Sequence, residues 1–170
     1  MMFEVSLLSK KYSVRKLDLN DVGEVYDLCS RNTMYYEYCP PFITMEGVKE
    51  DMTALPPGKN YEDKFFMGYY EDKKLVAIMD LIVGYPNDST IYIGLFMTNV
   101  LIQGRGIGSE IIQELCDYCK EQGYERIELA WVKGNPQAES FWKKNSFFPI
   151  GERSSNAAEH VIAAERKLIP

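Results

Sequence analysis

A glycine-dense segment, Gln103–Ser109, carries the strongest chemical signal in the sequence. It follows a β-rich run, Thr90–Met97, and leads into an amphipathic helical pattern from Glu110 to Gln122. The first N–H groups of a helix have no partner within the helix, and the aligned peptide dipoles add partial positive charge there. Glycines at 104, 106 and 108 keep Cβ atoms away from an approaching anion. The segment therefore predicts a binding site for a phosphorylated molecule.

Three other interpretations of this segment fit less well. The Lys-Ser/Thr ending of a nucleoside-triphosphate P-loop is absent from it. A dinucleotide domain needs a longer series of strands and helices than the roughly forty residues after Glu128 can form. A turn that only joins a strand to a helix has no need of three glycines. Phosphate binding in a smaller domain is therefore the preferred interpretation.

A second segment, Asn135–Phe148, follows about thirty residues downstream. Together the two segments resemble the GNAT superfamily of acyl-CoA-dependent N-acetyltransferases, which shows Q/R-x-x-G-x-G/A before one helix and an N-x-x-A pattern on the next. The first motif is matched by Gln103, Gly106 and Gly108. The second motif is matched by Asn135, Ala138, Phe141, Trp142 and Phe147, with Ser146 where glycine is usual. The resemblance covers about residues 12–168, and its specific part is 95–148.

The periodicity of apolar residues predicts an α/β fold with the order βααβββαβαββ, which coincides with the GNAT order. We expect a mixed, mostly antiparallel sheet with helices on both faces, in a single domain over residues 1–170. An irregular aromatic loop is predicted over Tyr35–Phe42. The predicted strands are 13–17, 64–70, 74–83, 90–97, 126–132 and stretches around 147–150 and 160–168, and the predicted helices begin near 22, 45, 110 and 136.

Composition excludes several classes of function. The net charge of −6 argues against a nucleic-acid binder, which usually carries a basic patch. No apolar run is long enough to cross a bilayer and the first residues lack a basic leader, so we expect a cytoplasmic protein without a membrane partner. Cys116 and Cys119 lie within a helical pattern, and no metal site is predicted. The sequence leaves the oligomeric state open, a homodimer included.

The negative charge is concentrated in residues 18–62, where nine acidic and three basic residues give 3 − 9 = −6. Solvated helix faces explain this distribution. The other interpretation is an acceptor side that attracts a cationic amine.

The resemblance implies that acetyl-CoA is the co-substrate and that its acetyl group passes to a primary amine of a small molecule or peptide by direct attack in a ternary complex. It places the backbone of strand four along the pantetheine arm, which requires a bulge at Gly94 or at Thr98 and Asn99. Asn135 caps its helix or reaches CoA. The residues expected to bind the co-substrate are Phe96, Met97, Thr98, Gln103, Gly104, Arg105, Gly106, Ile107, Gly108, Ser109, Asn135 and Trp142.

Proton transfer departs from the family pattern. Trp142 stands where many members carry a tyrosine, and Thr90–Met97 contains no acid. Asp80 interrupts the apolar strand Leu75–Val83 and is the candidate catalytic base, although a structural pairing with Arg or Tyr also explains a buried carboxylate. The candidate walls of the acceptor pocket are Tyr38, Tyr85 and Tyr92, which core packing explains equally well. A non-catalytic acyl-CoA-binding module or sensor is the alternative function.

Overall fold

The computed structural model describes residues 2–154 and 160–170, which form five α-helices and seven strands. The helices are α1 (Val22–Ser30), α2 (Thr33–Tyr38), α3 (Met45–Thr53), α4 (Ile107–Glu121) and α5 (Pro136–Lys144). The strands are β1 (Ser13–Lys16), β2 (Lys64–Glu71), β3 (Lys74–Val83), β4 (Thr90–Thr98), β5 (Arg126–Val132), β6 (Phe148–Ser154) and β7 (His160–Lys167).

All seven strands belong to one sheet with the order β1-β2-β3-β4-β5-β7-β6. Every neighbouring pair is antiparallel except β4 and β5, which run parallel. That parallel ladder joins only Thr90–Tyr92 to Arg126–Glu128. From Ile93 to Thr98, β4 has no strand partner on this side among the described residues. The sheet therefore splits at its centre.

The helices cover both faces of the sheet, as predicted. On one face α1, α2 and α3 contribute Val25, Tyr36 and Val48 to a core that includes Ile78 and Met97. The helices α4 and α5 pack on the other face, and this second core contains Ile91, Ile93, Ile111, Ile112, Leu115, Trp142 and Phe147. The mixed, mostly antiparallel architecture predicted from the sequence is confirmed.

Two β-bulges fix which side chains share a face. The register between β2 and β3 shifts between Tyr69 and Tyr70, so that Asp80 lies opposite Phe66. The register between β3 and β4 shifts after Asp80, and this leaves Gly94 without a partner. The expected bulge in β4 is thus at Gly94, the first of the two predicted alternatives.

The predicted order is wrong at one place, because the first part of the predicted loop over Tyr35–Phe42 belongs to α2. The ring of Tyr36 is buried and contacts the rings of Tyr35 and Phe42, at centroid distances of 4.8 and 5.4 Å. Burial of Tyr36 and its contacts with these two rings outweigh the weak helix propensity of the segment. In addition, α4 begins at Ile107 instead of Glu110.

Candidate active site

A cleft of about 330 Å³ opens beside the unpaired part of β4. Its walls come from the end of β4, the glycine turn, the first turn of α4, both ends of α5, and α2 with the residue before it. The lining residues are Asn32, Tyr35, Phe96, Met97, Thr98, Ile102, Gln103, Gly104, Gly106, Ile107, Gly108, Ser109, Asn135, Gln137, Ala138, Phe141, Trp142 and Lys144. The split in the sheet and the glycine turn therefore contribute to one cleft.

The turn before α4 has the geometry of an anion site. Gly104 and Gly106 adopt the left-handed conformation, with φ of 81° and 78°. Gly106 is the N-cap residue of α4 and offers no side chain to the first-turn N–H groups. A Cβ at either glycine would meet no other atom within 4 Å, so the space beside them is open. These unpartnered N–H groups and the helix dipole favour a phosphate.

The third glycine of the turn has a different purpose. A Cβ at Gly108 would lie 3.2 Å from a ring carbon of Phe141. Gly108 therefore lets the start of α4 pack closely against α5. Because Phe141 and Gly108 both line the cleft, this contact also sets its width.

A hydrogen-bond network ties the turn to the opposite face of the sheet. The side-chain nitrogen of Gln103 donates to Oδ1 of Asn32 at 2.9 Å. The side-chain nitrogen of Asn32 donates in turn to the carbonyl oxygens of Leu28 and Thr98, at 3.0 and 3.1 Å. Asn32 is buried, so these bonds replace those it would make with water. The end of α1, the end of β4 and the turn are thereby held together.

The α5 side of the cleft is held by two asparagines and an aromatic cluster. Oδ1 of the buried Asn135 accepts from the N–H of Ala138 at 3.2 Å and caps α5. The amide nitrogen of Asn145 donates to Oγ of Ser109 at 3.2 Å, which joins the end of α5 to the start of α4. The ring of Trp142 contacts those of Phe96, Phe141 and Phe147. The indole thus packs in the wall of the cleft.

Of the twelve residues predicted to bind the co-substrate, eleven line the cleft, and Arg105 of the same turn does not. Seven residues that line the cleft were not among those predicted: Asn32, Tyr35, Ile102, Gln137, Ala138, Phe141 and Lys144. Asn32 directly precedes α2, and an asparagine at that position usually serves as an N-cap, so no sequence signal distinguishes it. Tyr35 is one of several tyrosines in a short segment, and only the formation of α2 selects it.

Asp80 lies on the sheet face that α1 and α3 cover, where it forms a buried ion pair. The Nζ atom of Lys64 donates to its Oδ2 at 3.0 Å, and the two side chains are only 3% and 12% exposed. Oδ1 is buried and has no hydrogen-bond partner among the described residues. The partner of Asp80 is thus a lysine, not the arginine or tyrosine considered above, and Asp80 itself does not line the cleft.

Burial and neighbouring charges set the ionisation of this group. Burial raises the pKa of Asp80, and the ammonium of Lys64 opposes that rise. Burial also raises the pKa of Asp51, on α3, to about 6, with a smaller contribution from the charge of Asp80 and an opposing one from Lys64. Asp51 is an exposed residue, so water screens part of this effect. Two carboxylates and one ammonium thus leave this part of the sheet face with negative charge.

The three tyrosines predicted as pocket walls do not line the cleft. Tyr85 and Tyr92 pack edge to face, with ring centroids 5.4 Å apart. Burial raises the pKa of Tyr92. Tyr38 is the last residue of α2 and is partly exposed. Their role in acceptor binding stays a prediction.

Comparison with known proteins identifies this combination of fold and cleft. Residues 31–147 match the model of the Acetyltransferase (GNAT) family. The chain belongs to this family. The uncharacterized N-acetyltransferase YobR of Bacillus subtilis (strain 168) is 30% identical over 109 residues, which are 63% of this chain and 40% of YobR. The match thus spans well under two thirds of the length of that relative.

Solved structures share the GNAT fold at low sequence identity. An acetyltransferase from Thermus thermophilus superposes with a TM-score of 0.74 at 16% identity, covering 92% of this chain and 97% of the other. The PaiA N-acetyltransferase from Thermoplasma acidophilum, solved in complex with coenzyme A, gives 0.65 at 16% identity, covering 92% and 98%. Within the part of the chain that the structure describes, no helix is long and apolar enough to span a membrane.

Proposed function

We propose that this GNAT acetyltransferase transfers an acetyl group from acetyl-CoA to a primary amine of a small molecule or peptide, by direct attack in a ternary complex. The proposal includes a single N-acetyltransferase domain over residues 1–170, working in the cytoplasm. The observation that carries it is the convergence of two features on one cleft: the left-handed glycine turn at the start of α4 and the unpaired edge of β4.

The residues of the cleft suit acetyl-CoA. The open space beside Gly104 and Gly106 accommodates a diphosphate, and the first N–H groups of α4 bind its oxygens. The free backbone edge of β4 from Ile93 to Thr98 pairs with the amide groups of pantetheine as an added strand would. When bound, acetyl-CoA supplies an acetyl group activated as a thioester. PaiA, which was solved with coenzyme A, has the same fold.

The chain's own groups carry out two tasks at the reacting end. Main-chain N–H groups of β4 near Met97 donate to the carbonyl oxygen as it gains negative charge. Asp80 accepts a proton from the acceptor ammonium, because burial raises the pKa of this carboxyl above its ordinary value and so makes it a stronger base, while the ammonium of Lys64 opposes that rise. The leaving sulfur needs no tyrosine in the place of Trp142, since a thiolate is a weak base.

The first experiment tests co-substrate binding. Calorimetry with the purified chain should detect acetyl-CoA, and acetyl-CoA at one hundred times its Kd should stabilise the fold by about 2.7 kcal/mol in thermal unfolding. NAD should do neither, because the described residues form a sheet with a single parallel strand pair, which is not the parallel sheet of a dinucleotide-binding domain. Absence of heat with acetyl-CoA and with CoA would remove the proposal.

The second experiment tests Asp80. Asp80→Asn should lower kcat by about 10²–10⁴-fold with a panel of primary amines and leave the Kd of acetyl-CoA unchanged. The matched control is Asp88→Asn, in the exposed turn before β4, which should retain full activity. Unchanged kcat in Asp80→Asn would remove Asp80 from the mechanism.

A non-catalytic acyl-CoA sensor is the second candidate. The observation in its favour is that Asp80 is paired with Lys64 and lies outside the lining of the cleft. Tight acetyl-CoA binding without release of free CoA thiol, for any amine in the panel, would favour the sensor over the enzyme.

A further inference from the structure

Gly94, the bulge residue of β4, is required for space and not for its backbone conformation. Its φ lies outside the left-handed region, so an L-amino acid could adopt this backbone. A Cβ built on Gly94, however, would lie 2.7 Å from Oδ2 of Asp80. Carbon and oxygen do not approach so closely without strain. Any other residue at 94 would therefore press on the Asp80 carboxylate.

Gly94 and the Asp80 side chain next to it both retain some exposure to solvent. Gly94 is itself exposed, although it lies in the middle of a central strand. The Asp80 side chain retains 12% exposure, and its Oδ1 contributes less than 1 Å² of accessible surface. The remaining exposure therefore belongs to Oδ2 and the two side-chain carbons. Part of an otherwise buried side chain thus remains exposed, next to a residue that has no side chain.

We propose that Gly94 is a specificity-determining residue, which leaves an opening through which the ammonium group of the acceptor reaches Asp80. This inference rests on the proposed function and adds the class of acceptor: a primary amine on an unbranched carbon. A buried ion pair with Lys64 already shows that an ammonium on a straight alkyl chain fits Oδ2, at 3.0 Å. A second carbon on the amine-bearing carbon would take the space that a side chain at Gly94 would fill.

The same opening gives one of the two protons that the acceptor loses a path to solvent. Each transfer removes two protons from the acceptor ammonium, as its nitrogen forms the bond to the acetyl carbon and the bond from that carbon to sulfur breaks. One proton is taken by the Asp80 carboxylate and then leaves to solvent past Gly94. The other ends on the sulfur of CoA. Asp51 adds negative charge on this side of the sheet and favours a cationic acceptor over a neutral one.

A binding measurement tests the opening without relying on turnover. Propylammonium is titrated into protein whose aspartate γ-carbons carry ¹³C, and the Asp80 resonance is assigned from Asp80→Asn. In the unaltered protein this resonance should shift with propylammonium and should not shift with isopropylammonium. In Gly94→Ala neither amine should shift it. Equal shifts with and without the alanine, or no shift in either protein, would overturn the inference.

Turnover separates this inference from the proposed function. With propylamine as acceptor, Gly94→Ala should lower kcat/KM at least tenfold and leave the Kd of acetyl-CoA unchanged. The matched control is Gly151→Ala, since Gly151 also lies at a strand irregularity and a Cβ there would meet nothing within 4 Å. Wild-type turnover in Gly94→Ala overturns the inference alone. Propylammonium binding at Asp80 without any CoA release overturns the proposed function alone.

A double-mutant cycle covers the case in which Gly94→Ala folds poorly. If the alanine is harmful because it meets the Asp80 carboxylate, it should lower the thermal midpoint less in an Asp80→Ala background than in the natural chain. If Gly94→Ala lowered the thermal midpoint equally in both backgrounds, the added methyl group would not be meeting the Asp80 carboxylate, and the inference would be contradicted.

Discussion

The ion pair of Lys64 and Asp80 is the residue-scale feature with the largest consequences. Both side chains are buried, and removal of one partner from such a pair typically costs about 3–5 kcal/mol. The cost arises because the remaining charge has neither water nor a counter-ion. A purely structural pair would be replaceable by two apolar residues. Lys64 bonds only Oδ2 of Asp80, and Oδ1 has no hydrogen-bond partner among the described residues.

Lys64→Met should move the pH dependence of activity. Lys64 opposes the burial that raises the pKa of Asp80, so its loss lets that pKa rise further. A base must be deprotonated to act, and the acid limb of the kcat/KM profile should therefore move to higher pH. Activity at pH 7 should fall and recover partly at higher pH. Lys74→Met, at the exposed start of β3, is the control that should leave the limb in place. If the acid limb of the kcat/KM profile stayed in place in Lys64→Met, Lys64 would have no role in setting the ionisation of the catalytic base.

At the scale of elements, two β-bulges determine which face of the sheet each side chain lies on, and the sequence alone did not predict this. The strand spans and the turn at Asp72 and Lys73 follow from the pattern of residues. Continuous pairing from that turn would place Asp80 opposite Phe65, on the other face. The shift at Tyr69 places it opposite Phe66 instead, on the same face as Lys64. The alternation of side chains predicts a strand, but a one-residue shift reverses every face beyond it.

The glycine turn illustrates the opposite case, in which local sequence was sufficient. The conformation of Gly106 is a property of a few residues, and the glycine turn lies in the wall of the cleft, while its binding of a phosphate stays a prediction. The contribution of Asn32 and Tyr35 could not be predicted. It depends on how α1 and α2 pack against a strand that lies far along the chain. Local chemistry was therefore readable, and long-range juxtaposition was not.

Gly106→Val should abolish acetyl-CoA binding. The left-handed backbone costs an L-residue roughly 1–2 kcal/mol, and the added side chain would point into open space that a phosphate needs. The control is Gly58→Val, because Gly58 has a φ of 81° and equally open surroundings outside the cleft. Both variants should lose similar stability in thermal unfolding, but only Gly106→Val should lose affinity in calorimetry. Retained affinity would contradict the diphosphate site.

At the scale of the whole molecule, Asp51 links pH to stability. Its pKa is raised to about 6, so the folded state holds a proton that the unfolded chain releases near pH 4. Stability attributable to this group is present below pH 4 and is lost as pH rises to about 6. Asp51→Asn should therefore stabilise the fold at pH 8, by about 1 kcal/mol or less after solvent screening, and have no effect at pH 4. Thermal unfolding at both values checks this, and an equal change at both would point to packing.

The short parallel ladder has a mechanical consequence. Among the described residues, three backbone pairs join the part of the sheet formed by β1 to β4 to the part formed by β5 to β7. If the two parts of the sheet separated, they would do so at this ladder, which we call the seam and which has Ile91 and Ile127 at its centre. A ligand bound between β4 and β5 beyond the seam would contact both parts of the sheet and hold them together. Bound acetyl-CoA should therefore lower the hydrogen–deuterium exchange rate of the backbone amides in the seam, although acetyl-CoA does not contact those residues.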